Sequence, residues 1–121
     1  MIGEILGRIA WCGLHAVARG AIYLQSPLGA KRTVGWIGAH MKPLEGVDEA
    51  RSAMRLLRGM GGSCLSRSIT VAARLPGSVV VLGVDPRSSA RLSAHAWVEK
   101  DQEIVDDAGT ATCSTEELAR F

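Results

Sequence analysis

The stretch GGSCLSRSITVAARLPGSVVVLGV, residues 61–84, contains the turning point of the chain. Its first half sets Leu65, Ile69 and Ala72 at helical spacing behind a glycine pair, and Pro76-Gly77 must stop that helix. Its second half, Ser78 to Val84, is a β-branched apolar run suited to a strand buried on both faces. A helix beginning at Ser63 or Cys64 thus hands over to a sheet, and Cys64 falls in its first turn.

Upstream of this point the period is helical. Asp48 is placed to cap a helix with Val47, Ala50, Met54 and Leu57 on one side and Arg51, Arg55 and Arg58 elsewhere, ended by Gly59, Gly61 and Gly62. A weaker helical pattern runs from about Lys31 to Met41, between breaks at Ser26-Pro27 with Gly29 and at Pro43 with Gly46. Residues 5–24, ILGRIAWCGLHAVARGAIYL, are apolar enough to suggest a membrane span, but Arg8, His15 and Arg19 interrupt them at costly depth. They read as a helix packed on protein, with Ile5, Ile9, Cys12 and Ala16 forming its buried stripe and Arg8 and Arg19 facing solvent.

Downstream the period is extended. Asp85-Pro86 and Ser88-Ser89 form a polar loop, and AHAWVE and EIVDD flank Lys100-Asp101-Gln102 as a hairpin. The closing STEELARF reads as a short helix capped by Ser114 or Thr115 ahead of Glu116 or Glu117. Helices first and an antiparallel sheet second define an α+β fold.

Composition narrows the function. At 121 residues, 47% hydrophobic and 21% charged, the chain is one soluble domain able to bury a core without metal or disulfide staples. Fourteen basic against twelve acidic residues, net +2, argue for neither a nucleic-acid nor a membrane partner. Cys12, Cys64 and Cys113 lack the spacing of a disulfide framework, and no secretory signal is visible, which fits a reducing cytoplasm. Without C-x-x-C or H-x-x-x-H pairs, no metal is expected, and no cofactor motif appears.

Chemistry concentrates at Cys64. A thiol in a first helical turn lies beside unpaired N–H groups, which favour thiolate and can hold an oxyanion formed by its attack on a carbonyl. His95, in AHAWVE, is the candidate base, and Asp106 or Asp107 on the second hairpin arm the candidate orienter. A two-residue turn at Asp101-Gln102 puts Asp106 on the face of His95, whereas a three-residue turn through Glu103 puts Asp107 there. Trp97, on the His95 face, is positioned to pack or to wall the site. Ser63 and Arg67 are near enough to be considered as oxyanion donors, with a helix cap and a surface cation as their plainer roles. Cys12 reads as a core thiol, Cys113 as a semi-exposed one, His15 and His40 as structural or surface histidines. Arg51, Arg55, Arg58, Arg67 and Arg74 read as solvated helix faces.

The string CLSRSITVAARLPGSVVVLGV, followed by AHAWVE and the acidic pair in IVDD, resembles the transglutaminase-like cysteine proteases of lasso-peptide biosynthesis, the leader peptidases that mature the precursor. The resemblance covers about residues 54–108. It implies a papain/transglutaminase-like core in residues 47–121 behind a helical part at 1–46, and a triad of Cys64, His95 and Asp107, family spacing preferring Asp107 to Asp106. It also implies a stand-alone protease whose partners are the precursor's leader peptide, a separate leader-recognition protein and the cyclase that closes the macrolactam. An acyltransferase using the same triad, or a catalytically idle binding subunit, are the alternatives.

Overall fold

The computed structural model describes residues 2–61, 63–85, 93–105 and 116–121. Helices α1 (Ile2–Leu24), α2 (Pro27–Gly38), α3 (Val47–Arg58) and α4 (Cys64–Arg74) precede strands β1 (Val79–Asp85), β2 (Ser93–Lys100), β3 (Glu103–Val105) and β4 (Glu116–Arg120). The strands form an antiparallel sheet in the order β3-β2-β1-β4, giving the α+β class read from the sequence.

Each helix is set by local chemistry. In α4, Ser63 caps the first turn through a reciprocal box with Ser66, and Leu75-Pro76 ends the helix in extended backbone. In α2, Ser26 accepts a hydrogen bond from Gly29 N–H with Pro27 in the first turn. The Ser26-Pro27 pair is therefore a helix start and not only a break, and the helix begins earlier than Lys31. In α3 the N-cap is Gly46, in extended backbone with no side-chain cap. Asp48 instead lies in the first turn, 3.3 Å from Arg51, where its charge suits the helix dipole.

Helix α1 buries Trp11, Leu14, His15, Ala18 and Ala21, a face at i, i+3, i+4 and i+7. The expected stripe is the other one: Ile5 is 58% and Ile9 60% exposed, and Cys12 and Ala16 are exposed too. Period alone does not choose between two apolar faces; the contacts of α1 with α2 and α4 choose the one that starts at Trp11. No helix among the described residues is long and apolar enough to cross a membrane.

Two cores meet on α4. Val71 joins Leu57, Met54, Trp11, Val98 and Val105, while Ile69 joins Leu14, Ala18, Val34 and Val80. Beyond the sheet, Val81 and Trp97 form a third cluster with Val79 and Ile104, so β1 is buried on both faces as its sequence implies. Three of the arginines read as solvated are held by packing. Arg74 donates to the Lys42 carbonyl at 2.9 Å and lies 4.3 Å over the Trp11 ring, Arg51 donates to the Ile104 carbonyl at 3.0 Å, and Arg67 Nε is enclosed.

The C-terminal segment departs from expectation. Residues 116–120 are a strand, not a capped helix, because β1 offers them an open edge: Val80 and Phe121 exchange backbone hydrogen bonds at 2.6 and 2.8 Å. Phe121 packs into the core of Ile69 and Val80, and Arg120 reaches Glu99 of β2 at 2.8 Å. Ser114 and Thr115 lie outside the described residues.

Helix α2 crosses α4 so closely at Gly38 that an added Cβ would stand 2.6 Å from the Ala73 carbonyl oxygen and 2.7 Å from Ala73 Cβ. Backbone, not a flexible side-chain end, blocks that space. Gly38→Ala is accordingly expected to cost about 1–3 kcal/mol of stability, read as a lower urea midpoint at unchanged slope; an unaltered midpoint would refute the close approach.

Candidate active site

Cys64 is the first residue of α4 and is partly exposed. Ser66 N–H donates to Ser63 Oγ at 3.1 Å, and Ser63 N–H donates to Ser66 Oγ at 3.1 Å. Arg67 N–H makes the first regular helical bond, to Ser63 O at 3.1 Å. The box thus occupies the donors of Ser63 and Ser66 and leaves those of Cys64 and Leu65 outside it, two adjacent N–H groups beside the sulfur. Ser63 holds the capping role expected of it.

His95 stands near the start of β2, opposite Gly83 of β1. Connectivity sets its level relative to the thiol. A short turn, with Gly77 at φ 79° and Ser78 N–H donating to Leu75 O at 3.2 Å, reverses α4 into β1, and the antiparallel β1–β2 pair reverses the chain again. Strand β2 therefore runs in the direction of α4, which packs on it. Val71 and Val98 share one cluster. From Val71 back to Cys64 is about 10 Å of helix, and from Val98 back to His95 about 10 Å of strand, so both residues fall towards the same end of the α4–β2 pair.

The pleat decides which way the imidazole points. The β1–β2 register runs unbroken from Val79↔Glu99 to Asp85↔Ser93, so His95 shares a face with Trp97, and Val98 lies on the other, helix-packed face. The His95 and Trp97 rings are 6.1 Å apart and tilted by 30°, within the range of aromatic contact. Trp97 is 6% exposed and forms one wall beside the imidazole. The imidazole is thus on the sheet face away from α4, and the structure does not bring it against the thiol.

The hairpin after β2 closes with a two-residue turn, Asp101 and Gln102 at φ 51° and 66°, and Lys100 pairs with Glu103. This is the shorter of the two turns weighed above, the register that favours Asp106. Asp106, Asp107 and Cys113 themselves lie outside the described residues. Cys12, expected in the core, is exposed, with Sγ 3.4 Å from Met60 Sδ. His40 is exposed and bonded to the Trp36 carbonyl at 2.8 Å.

One residue gains a place near the site that its sequence context concealed. His15 of α1 is 2% exposed, and its Nε2 lies 2.9 Å from Ser66 Oγ. Burial first, then the Arg19 and Arg67 guanidinium groups, hold its pKa below the ordinary 6.5. Only a contact between α1 and α4 reveals this role, and no local motif signals it. The largest described cavity, about 540 Å³ among Glu45, Asp48, Glu49, Asp101 and Glu103, lies elsewhere, between the start of α3 and the hairpin turn.

Four helices followed by a small antiparallel four-stranded sheet, with α4 packed on the sheet, make a papain-like α+β domain. The sequence model of the transglutaminase-like superfamily matches residues 15–120, and the chain belongs to that superfamily, whose chemistry is of the cysteine protease or acyltransferase kind. No curated protein and no solved structure matches it. The match begins at His15, so most of the helical N-terminal part belongs to the family domain, well beyond the span of residues 54–108 that carries the motifs.

His15 sets an acid limit on the fold. Its pKa is lowered in the folded state, so its contribution to stability is complete above the unfolded value near 6.5 and is lost as pH falls from there through the folded value. Urea midpoints measured between about pH 7 and pH 5 are expected to fall more steeply for the native sequence than for His15→Gln. Parallel curves would show that His15 takes up its proton equally well in both states.

Proposed function

We propose that this protein is a leader peptidase, a cysteine protease that cuts a ribosomally made lasso-peptide precursor between leader and core. The reading is supported by one observation: in a transglutaminase-like domain, Cys64 occupies the first position of a capped helix; the role of His95 rests on the motif. The linked motifs around CLSRS, AHAWVE and IVDD narrow the superfamily's chemistry to leader removal. A separate leader-recognition protein would present the precursor, and a separate ATP-dependent cyclase would take the released core.

The chemistry follows from the residues. Cys64 sulfur, having given its proton to His95, attacks the last leader carbonyl, and the N–H groups of Cys64 and Leu65 receive the negative oxygen that forms. His95 passes the proton to the departing core amine as the C–N bond breaks, leaving a thioester. Water, losing a proton to His95, then opens the thioester, and the leader departs with a free carboxylate while Cys64 recovers its thiol. For the first transfer the end of β2 would have to turn His95 from the far face of the sheet towards the helix terminus, a larger rearrangement than the tightening of a hydrogen bond. Asp107, by family spacing, orients His95; the two-residue turn makes Asp106 its rival.

Mass spectrometry of the precursor after incubation, with and without its leader-binding protein, tests the reading. A leader ending in a carboxylate is expected, and Cys64→Ala should abolish it. An amide at that terminus would make the protein an acyltransferase, and full cleavage by Cys64→Ala would remove the enzyme reading altogether. Of the two aspartates, Asp107→Asn is expected to lower kcat about a hundredfold or more and Asp106→Asn little; the reverse pattern would move the role to Asp106.

A further inference from the structure

Buried polar side chains gather under the first turn of α4. His15 is 2% exposed and Ser66 1%, and Thr70, fully buried, donates to the Ser66 carbonyl at 2.7 Å. Ser66 has a single hydroxyl proton, which it gives to the Ser63 carbonyl at 2.9 Å. Its remaining contacts must then be accepted ones: from Ser63 N–H at 3.1 Å and from His15 Nε2 at 2.9 Å. In that arrangement the neutral ring carries its proton on Nε2. Burial first, and then the cationic neighbours Arg19 and Arg67, oppose a second proton on the ring.

A cavity of about 240 Å³, lined by Arg19, Ile22, Tyr23, Ser63 and Ser66, opens beside the same box. The capping box is therefore not sealed by apolar packing on that side. The contact from α1 is what ties the Ser66 hydroxyl, and through it the Ser63 peptide, to the body of the domain.

We propose that His15 is a positioning residue for the thiol: by holding Ser66 it fixes the Ser63–Cys64 peptide, and so the direction of the sulfur and of the two N–H groups beside it. His15 touches neither substrate nor sulfur in this role. The inference rests on Cys64 being the nucleophile, and it assigns to α1 a part in the reaction that the motif residues do not supply.

The test compares His15→Leu, which removes the donor, with His15→Gln, whose side-chain amide can place an N–H where Nε2 stood. Steady-state cleavage of the precursor is expected to show kcat lowered about tenfold to a hundredfold in His15→Leu, KM unchanged, and most of kcat regained in His15→Gln. Ser66→Ala, which also loses the contacts to Ser63 N–H and carbonyl, should fall at least as far as His15→Leu, and the double variant should be no worse than Ser66→Ala alone. Alkylation by iodoacetamide, followed at the Cys64 peptide with the exposed Cys12 as internal reference, should slow in the same order while Cys12 does not change. Equal kcat and equal Cys64 alkylation in native, Leu and Gln forms would overturn the proposal, as would a loss in His15→Leu that His15→Gln fails to relieve. If His15→Leu does not fold, His15→Asn, whose shorter amide cannot reach Ser66 Oγ, takes its place against His15→Gln, and equal kcat and equal Cys64 alkylation in the two would overturn the proposal. If the native protein leaves the precursor intact, the peptidase reading fails, and the Cys64 alkylation rates still decide the role of His15.

Discussion

The structure depends on burying helix α4 from two directions at once. Ile69 and Val71, both fully enclosed, point into separate cores, one shared with α1, α2 and β1 and the other with α3, β2 and β3. A helix of eleven residues is marginal alone; packed on all these elements it becomes the rigid rod that sets the height of its first residue. Burial of that rod also brings hydroxyls inside. Ser66, Ser68 and Thr70 are all 1% exposed or less, and two of them bond within the helix or across to His15, which limits the penalty of removing them from water.

That arrangement divides labour between the ends of α4. The C-terminal end is held by apolar weight and by Arg74, whose guanidinium spans Trp11 and the Lys42 carbonyl. The N-terminal end is held by hydrogen bonds, where direction matters more than area. A nucleophile needs its neighbours fixed in angle as well as in place, and the polar end is where the thiol lies. His15, buried on α1, meets that polar end through Ser66 Oγ.

Much of this was legible in the residues and some was not. The switch from helix to sheet at Pro76-Gly77, the cap at Ser63 and the hairpin around Asp101-Gln102 carry local signals, and each element formed where its signal placed it. The buried face of α1 was misread because Ile5, Ile9 and Cys12 satisfy the same period as Trp11, Leu14 and Ala18, and only the neighbours of α1 decide between them. The last segment was misread for a related reason: Ser-x-x-Glu is a helix cap in isolation, but an open edge on β1 and a berth for Phe121 outweigh it. At the candidate site, Cys64 and His95 carry local signals of position and motif. His15 did not, because its partner stands 51 residues away in sequence. Arg74 was hidden likewise, since nothing adjacent in sequence announces the Trp11 ring beneath it.

The hairpin turn adds a constraint of another sort. Asp101 and Gln102 both hold positive φ, a conformation that Asn and Gly occupy at less cost and that a glutamine rarely adopts. The strain buys a loop of minimum length. A single residue inserted there would turn every downstream side chain of the arm to the opposite side of the sheet, burying what now faces solvent, so the length of this turn is as much a part of the fold as any buried side chain.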